Sequence, residues 1–174
     1  SVNNAMEAIN KESKIDILYN IAGIFRFEDR VSLAETDLDK CASMYEINAV
    51  GALRVCKACW HLLKAGTLIM TVSSEAGSIG GCRRSQEYGY SMSKCAVNMA
   101  MKTLSNELYT QGVRVMLIHP GWMRTIMGGE GARVSPRSVS PEESAESIIG
   151  ITNDIDSIPR DQMYMRQTRE ILPW

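Results

Sequence analysis

Residues 71–80, Thr-Val-Ser-Ser-Glu-Ala-Gly-Ser-Ile-Gly, with Tyr90-Ser-Met-Ser-Lys94 just beyond, decide how the rest of the chain is read. The apolar run from Thr67 to Val72 ends in paired serines and a glycine-containing loop, the pattern of a buried strand that delivers hydroxyls to its carboxyl end. From about Tyr88 the pattern turns helical. Tyr90 and Lys94, four positions apart, then face the same side of that helix. A serine, a phenol and an ammonium are directed toward one spot, which is a proton-transfer site in outline.

Outward from this stretch, toward the N-terminus, Ile15 to Tyr19 is a short apolar run, typical of a strand buried on both faces. It breaks into Asn20-Ile21-Ala22-Gly23, where small residues let a ligand approach the backbone. Residues 3 to 13, with Ala5, Met6 and Ile9 on one side, read as the end of an amphipathic helix. A long helical region is expected from about Thr36 to Leu63, bent near Asn48 to Gly51 and ended by Gly66. Toward the C-terminus, the Tyr90 helix runs to about Thr110, Gly112 closes it, and Val113 to Ile118 forms a third strand that stops at His119-Pro120-Gly121. A Gly- and Arg-rich loop, Trp122 to Val139, leads to Ser140-Pro141-Glu142-Glu143, a capping box with Pro at the first helical position. That helix reaches about Ile151, Gln162 to Arg166 is a last strand, and Ile-Leu-Pro-Trp is the tail.

This alternation predicts an α/β fold, a Rossmann-like doubly wound parallel sheet of about four strands with covering helices. Ligands in such sheets bind at the carboxyl ends of the strands. Asn20 to Gly23, Ser73-Ser74, the Tyr90/Lys94 pair and Pro120-Gly121 all fall at or beside those ends.

The 174 residues suffice for one domain with a core of its own. A net charge of −1 gives no electrostatic reason to expect nucleic acid or an anionic membrane as partner. No apolar run approaches the roughly 20 residues of a membrane helix, and the polar N-terminus has no signal-peptide core. Five cysteines, three of them in helical apolar patterns, favour reduced thiols and a cytoplasmic protein. Cys56-Lys-Ala-Cys59 lacks a second ligand pair for zinc, since only His61 and a distant His119 are on offer. It also lies mid-helix rather than at a helix N-terminus, so it reads as packed small residues. No metal site is expected, and the eleven methionines read as core filler.

Taken in order, Asn20-Ile-Ala-Gly23, Asn48 in a helix, Ser73-Ser74 after a strand, Tyr90-x-x-x-Lys94 and Pro120-Gly121 with Thr125 four residues on resemble the short-chain dehydrogenase/reductase family, over essentially the whole chain. The stretches SSEAGSIG, HPGWMRTIMGG and PEESAESI and the closing LPW resemble its bacterial-type carbonyl reductases. The resemblance implies an NADP- or NAD-dependent oxidoreductase, with NADP slightly favoured, acting on a small carbonyl or secondary alcohol. Tyr90 would be the general acid in reduction and the base in oxidation. A phenol with a pKa near 10 needs a nearby cation to act as a base at neutral pH. Lys94 would supply that cation and bond the nicotinamide ribose. Ser74 would hold the substrate oxygen, and Asn48 would hold a water linking Lys94 to solvent. Asn20, Ala22 and Gly23 would lie along the cofactor, with Pro120, Gly121, Met123 and Thr125 at its nicotinamide end and Trp122 and Met127 on a substrate loop. The two long helices resemble those through which the family forms homodimers and homotetramers.

Competing readings attach to several of these positions. Tyr88 lies six positions before Lys94, on a different helical face. Ser73 reads as a strand-end residue bonding locally, and Asn48 reads alternatively as a helix-bend or capping residue. Arg83 and Arg84 read as solvated loop residues, and His119 as structural, with no carboxylate obviously aimed at it. The family's Gly-x-x-x-Gly-x-Gly turn does not occur in the sequence. The chain is therefore expected to be a single partial domain that begins after about 60 to 80 residues of the usual first half. The strand at Ile15 to Tyr19 would then expose an apolar edge. The alternative expectation is a truncated, non-catalytic family member serving as a binding or oligomerisation module.

Overall fold

The computed structural model describes residues 13–174 together with Met6 and Ile9. Most of the amphipathic segment expected over residues 3 to 13, Ala5 included, lies outside the described residues. Four strands, β1 (Ile17–Asn20), β2 (Leu68–Val72), β3 (Arg114–His119) and β4 (Tyr164–Arg166), form one sheet in sequential order, every pair parallel. β2 and β3 are almost wholly buried, which is why they read as continuous apolar runs in the sequence.

The segments between strands are α1 (Leu38–Tyr45) and α2 (Gly51–Ala58), then α3 (Tyr88–Leu108), then α4 (Gly129–Val134) and α5 (Pro141–Asn153). Asn20 bonds Cys56 of α2, while its neighbour Tyr19 donates to Thr152 of α5 at 2.9 Å. Successive strand residues point to opposite faces, so α2 and α5 cover opposite sides of the sheet. α3 buries Val97, Met101, Leu104 and Leu108 against the sheet. The same helical face continues upward through Ser93, Lys94 and Asn98, also buried. One stripe of α3 is thus apolar where it meets the middle of the sheet and polar where it meets the strands' carboxyl ends.

Several local expectations are met. The helical region expected from about Thr36 begins as α1, which Asp37, a cap the sequence reading does not single out, starts by accepting from the amides of Asp39 and Lys40. Ser140 and Glu143 form the reciprocal capping box of α5. Gly66 and Gly112, both left-handed, end the segments before β2 and β3. The bend foreseen near Asn48 is a π-helical turn, Glu46–Val50, between α1 and α2.

Three expectations are corrected. β1 is not buried on both faces: Ile17 is 43% exposed and Tyr19 also stands open, and among the described residues β2 is its only strand neighbour, so β1 is the exposed edge also expected. The loop expected over Trp122 to Val139 contains α4, whose Gly-rich sequence and six-residue length hide its helical character. Finally, the tail is part of the sheet's flank, since Leu172 donates to Tyr164, Gly80 donates to Trp174, and Met165 bridges Ile171.

Candidate active site

β2 ends at Val72, and the next two serines diverge as alternation along an extended chain requires. Ser73 turns inward, and its hydroxyl donates to Asn98 of α3, whose amide in turn donates to the Gly77 carbonyl. Ser73 is thus a structural tie, though to α3 rather than the local bond expected. Ser74 caps the short turn Glu75–Gly77, its hydroxyl accepting from the Ala76 amide at 3.1 Å. Tyr164 of β4 fixes the Ser74 carbonyl from below.

Tyr90 lies in the first turn of α3 with its ring edge-on to Phe25 at 5.0 Å. Lys94, one turn on, is buried and donates to the Val72 carbonyl at 3.0 Å, with its ammonium 5.8 Å from the Tyr90 ring centre. A Cβ added at Gly23 would stand 3.4 Å from the Asn48 side-chain oxygen and 3.5 Å from the Lys94 nitrogen. Gly23, Asn48 and Lys94 therefore meet at one point. Asn48 binds the Ile24 backbone both ways, accepting at 2.7 Å and donating at 2.9 Å, and also donates to Ser93. Both amide protons of Asn48 are thus used, while its side-chain oxygen keeps one lone pair on the Gly23 side, beside the Lys94 ammonium.

The remaining positions divide. Asn20 points inward to Thr71 and Cys56, so only its backbone can border a ligand, whereas Ala22 is exposed and Gly23 half-buried. Pro120 is anchored through its carbonyl by Ser144 of α5 at 2.6 Å. Gly121 has φ +85°, a left-handed conformation that favours glycine, and a Cβ there would displace the Gln167 side-chain amide, 2.5 Å away. Met123 bridges Val139 through the groups of its neighbours Trp122 and Arg124, which turns its own amide the opposite way. Thr125 closes the next turn onto Gly128. Trp122 is pinned through its indole to the Gly128 carbonyl and remains half-exposed, as does Met127.

Burial pushes the Lys94 ammonium down to about 8, leaving it mostly charged at neutral pH. Burial pushes the Tyr90 phenol upward. A hydrogen bond from Ser74 and the charge of Arg84 oppose the shift without reversing it, and Glu75 and Glu87 reinforce it. Tyr90 is a protonated donor at neutral pH.

A charged network around these residues escaped the sequence reading. Glu75 accepts from Ser74 at 3.0 Å, pairs with Arg84, and lies 3.4 Å from the His119 imidazole. Arg84 also pairs with Glu87, which pairs with Arg30, whose guanidinium lies over Phe25 and Phe27. Arg84 is thus not a solvated loop residue, and His119 does face a carboxylate. Burial drives His119 down to about 4, so at neutral pH it is an uncharged neighbour of Glu75. For Glu75, burial acts upward, but His119, Arg84 and Ser74 together hold it below its ordinary value. Glu87 carries φ +63° just before α3, a strained non-glycine position fixed by its two arginines. The only sequence signal was the density of opposite charges in Glu75 to Glu87 and Phe25 to Arg30.

The CxxC cysteines are both buried and free, and burial raises both thiols. That is the state of packed side chains rather than a redox pair.

The family model described as Enoyl-(Acyl carrier protein) reductase matches residues 1–155. C-signal of Myxococcus xanthus is 38% identical over 162 residues, 92% of this chain and 93% of that protein. Among solved structures, the carbonyl reductase Sniffer of D. melanogaster superposes with a TM-score of 0.83 at 27% identity, covering 99% of this chain and 73% of that one. A carbonyl reductase from Pseudomonas aeruginosa PAO1, solved in complex with NADP, gives 0.78 at 25%, covering 99% and 72%. The chain belongs to the short-chain dehydrogenase/reductase family and resembles its carbonyl reductases.

Proposed function

We propose that residues 1–174 form one Rossmann-like unit carrying the catalytic side of an NADP- or NAD-dependent oxidoreductase, which reduces a small carbonyl or oxidises the matching secondary alcohol. The observation that carries this reading is the convergence of Ser74, Tyr90 and Lys94, with Gly23 and Asn48 beside the ammonium, at the carboxyl ends of β1 and β2. The NADP complex of the Pseudomonas relative supports the cofactor class.

The chain fits the nicotinamide end of such a cofactor. Gly23 leaves the Lys94 ammonium and Asn48 uncovered by any side chain of its own, Gly121 keeps the end of β3 free of a side chain, and the Met123 amide faces away from Val139. Ala22, Gly23, Lys94, Pro120, Gly121, Met123 and Thr125 would hold the ribose and nicotinamide. When bound, the nicotinamide supplies or accepts a hydride. The protein's own groups handle the proton. Tyr90, protonated because it is buried, donates to the developing alkoxide, and Lys94 holds its charge a turn away. Ser74 fixes the substrate oxygen between them. Trp122 and Met127 would border the substrate. The free thiols fit a reducing, cytoplasmic compartment, and the outward faces of α1–α2 and α3, with exposed Tyr45, Leu53, Met92 and Met99, would form the homo-oligomer.

Tyr90→Phe tests the reading. Turnover of carbonyl probes with NADPH or NADH should fall by about 10² to 10⁴-fold, while cofactor affinity, measured by fluorescence, stays within a few-fold. Unchanged turnover would sink the assignment.

A further inference from the structure

Glu87 precedes α3 with φ +63° and no side-chain cap bond, and its side chain is almost wholly buried. Such a backbone favours glycine. A glutamate kept there is fixed by its surroundings, and strain of this kind gathers at functional sites. Each oxygen of the carboxylate takes one arginine: Arg30, at 2.5 Å, from the segment after β1, and Arg84, from the turn before α3. Arg84 carries the tie on to Glu75, beyond β2. One side chain thus joins the segments that leave β1 and β2 to the start of the helix that bears Tyr90.

The Arg30 arm leads to the site. Its guanidinium covers two rings at once, 5.3 Å from the centre of Phe25 and 5.2 Å from that of Phe27, and the two rings meet edge-on at 5.0 Å. Phe25 in turn stands edge-on to Tyr90 at 5.0 Å. Phe27 lines a cleft of about 280 Å³ shared with Thr125, Ile126 and Arg133, at the small end of ligand pockets. A Cβ at Gly129 would come within 2.9 Å of the Phe27 ring, so the start of α4 lies bare against it. The aromatic pair therefore runs from the Tyr90 phenol to the cleft, and the cation that covers both rings is bound by Glu87.

We propose that Glu87 is a positioning residue that, through Arg30, sets Phe25 against Tyr90 and Phe27 at the cleft wall, and so determines how tightly the site holds a substrate with a flat apolar body. This rests on the reading of Tyr90 as the group that meets the substrate oxygen, and adds to it a residue that acts from outside the site.

The chain has only two phenylalanines, Phe25 and Phe27, so labelling with 4-fluorophenylalanine gives two ¹⁹F lines, assigned by Phe25→Leu and Phe27→Leu. Glu87→Gly removes the carboxylate while relaxing its backbone, and Arg30→Ala removes the half-exposed arm. Each should move both lines toward their positions in the denatured chain while the circular dichroism stays that of the folded protein. In the double variant the lines should move no further than in Arg30→Ala, which a merely structural role for Glu87 would not produce. Should Glu87→Gly fail to fold, Arg30→Ala decides alone, and lines left in place overturn the proposal. The second measurement titrates the full chain, with NADP present, with 2-acetylnaphthalene and follows the same lines. The probe should shift the Phe27 line, and both substitutions should weaken its binding by about two- to fivefold. A Phe27 line indifferent to the probe, or an affinity unchanged in the variants, overturns the proposal. Neither measurement uses turnover, so failure here and failure of the Tyr90→Phe test are separate results.

Discussion

On the β2–α3 side of the site, Ser73, Ser74, Ser93, Lys94 and Asn98 are all buried, and each is tied to backbone or to another side chain before any ligand arrives. On the β3 side, the segment from Trp122 to Val134 presents Ile126 at 87% exposure and Val134 at 84%, and a cleft lined by Phe27, Thr125, Ile126 and Arg133 lies open between it and the segment after β1. The first wall is over-determined and the second is not. On the function proposed above, proton transfer would tolerate little misplacement of its groups, and these sit where packing leaves no choice. Recognition of an apolar substrate body calls for surface that is left uncovered until the substrate covers it.

If that contrast is sound, the largest effects come from disturbing the packed wall. A Cβ at Gly77 would meet the Lys94 carbonyl oxygen at 2.6 Å and the Asn98 amide nitrogen at 2.8 Å. Gly77→Ala must therefore push α3 away from the serine turn, taking Lys94 with it. The expected result is a loss of about 1–3 kcal/mol in chemical denaturation, with a fall in turnover larger than the stability loss explains. A variant as stable and active as the parent would show that this wall has slack.

Lys94→Met should act in the opposite sense on stability. The folded-state pKa of Lys94 is depressed from 10.5 to about 8, so the unfolded chain binds the extra proton between those values and stability rises with pH across that window. Below about pH 8 the buried ammonium carries its full desolvation penalty. Removing it should stabilise the fold at pH 7 by on the order of 1–3 kcal/mol, partly offset by the stranded Val72 carbonyl. The pH 8–10 rise in melting temperature should flatten as well. A destabilised Lys94→Met would mean that Lys94 is held mainly by its bonds and not merely tolerated for function.

The parts of this picture that could be read in advance are those whose residues are close in sequence or bound by a regular period. The buried strands β2 and β3 appear as continuous apolar runs, and Tyr90 and Lys94 share a helical face by spacing alone. The capping box at Ser140 is likewise local. What could not be read depends on the folded path. The tie from Tyr164 to Ser74 spans 90 residues. Which of the many charges pair, Arg84 with Glu75 and Glu87 or Arg30 with Glu87, follows from where the turn before α3 and the segment after β1 come together. The bend at Asn48 is legible locally, yet the bonds of its side chain to Ile24 and Ser93 depend on the neighbouring loop being in position.

His119 sharpens the comparison from the β3 side, since it stands where the two walls meet. Its pKa is depressed from 6.5 to about 4 by burial, with Arg166, Arg84 and Lys94 opposing its protonation and Glu75 favouring it. Its contribution to stability is complete above about pH 6.5 and is lost as pH falls toward 4. His119→Asn should remove on the order of 1–3 kcal/mol of that acid loss, leaving the part due to Glu75, whose lowered pKa places its own loss at the acid end. Thermal melts between pH 7 and 4 would show it, and parallel curves for the two proteins would mean that the imidazole is solvated.

The smallest effect belongs to the open wall. Ile126 has little apolar surface to lose on unfolding, so Ile126→Ser should change stability by less than about 0.5 kcal/mol. A buried residue such as Met70 cut to alanine should cost about 2–5 kcal/mol. The same Ile126→Ser change should nevertheless raise KM for an apolar carbonyl probe several-fold, because the cleft edge acquires its apolar contact only when the probe is bound. Should Ile126→Ser instead destabilise the chain by more than about 1 kcal/mol, the segment would be packed in solution, and both walls would be preformed in the same way.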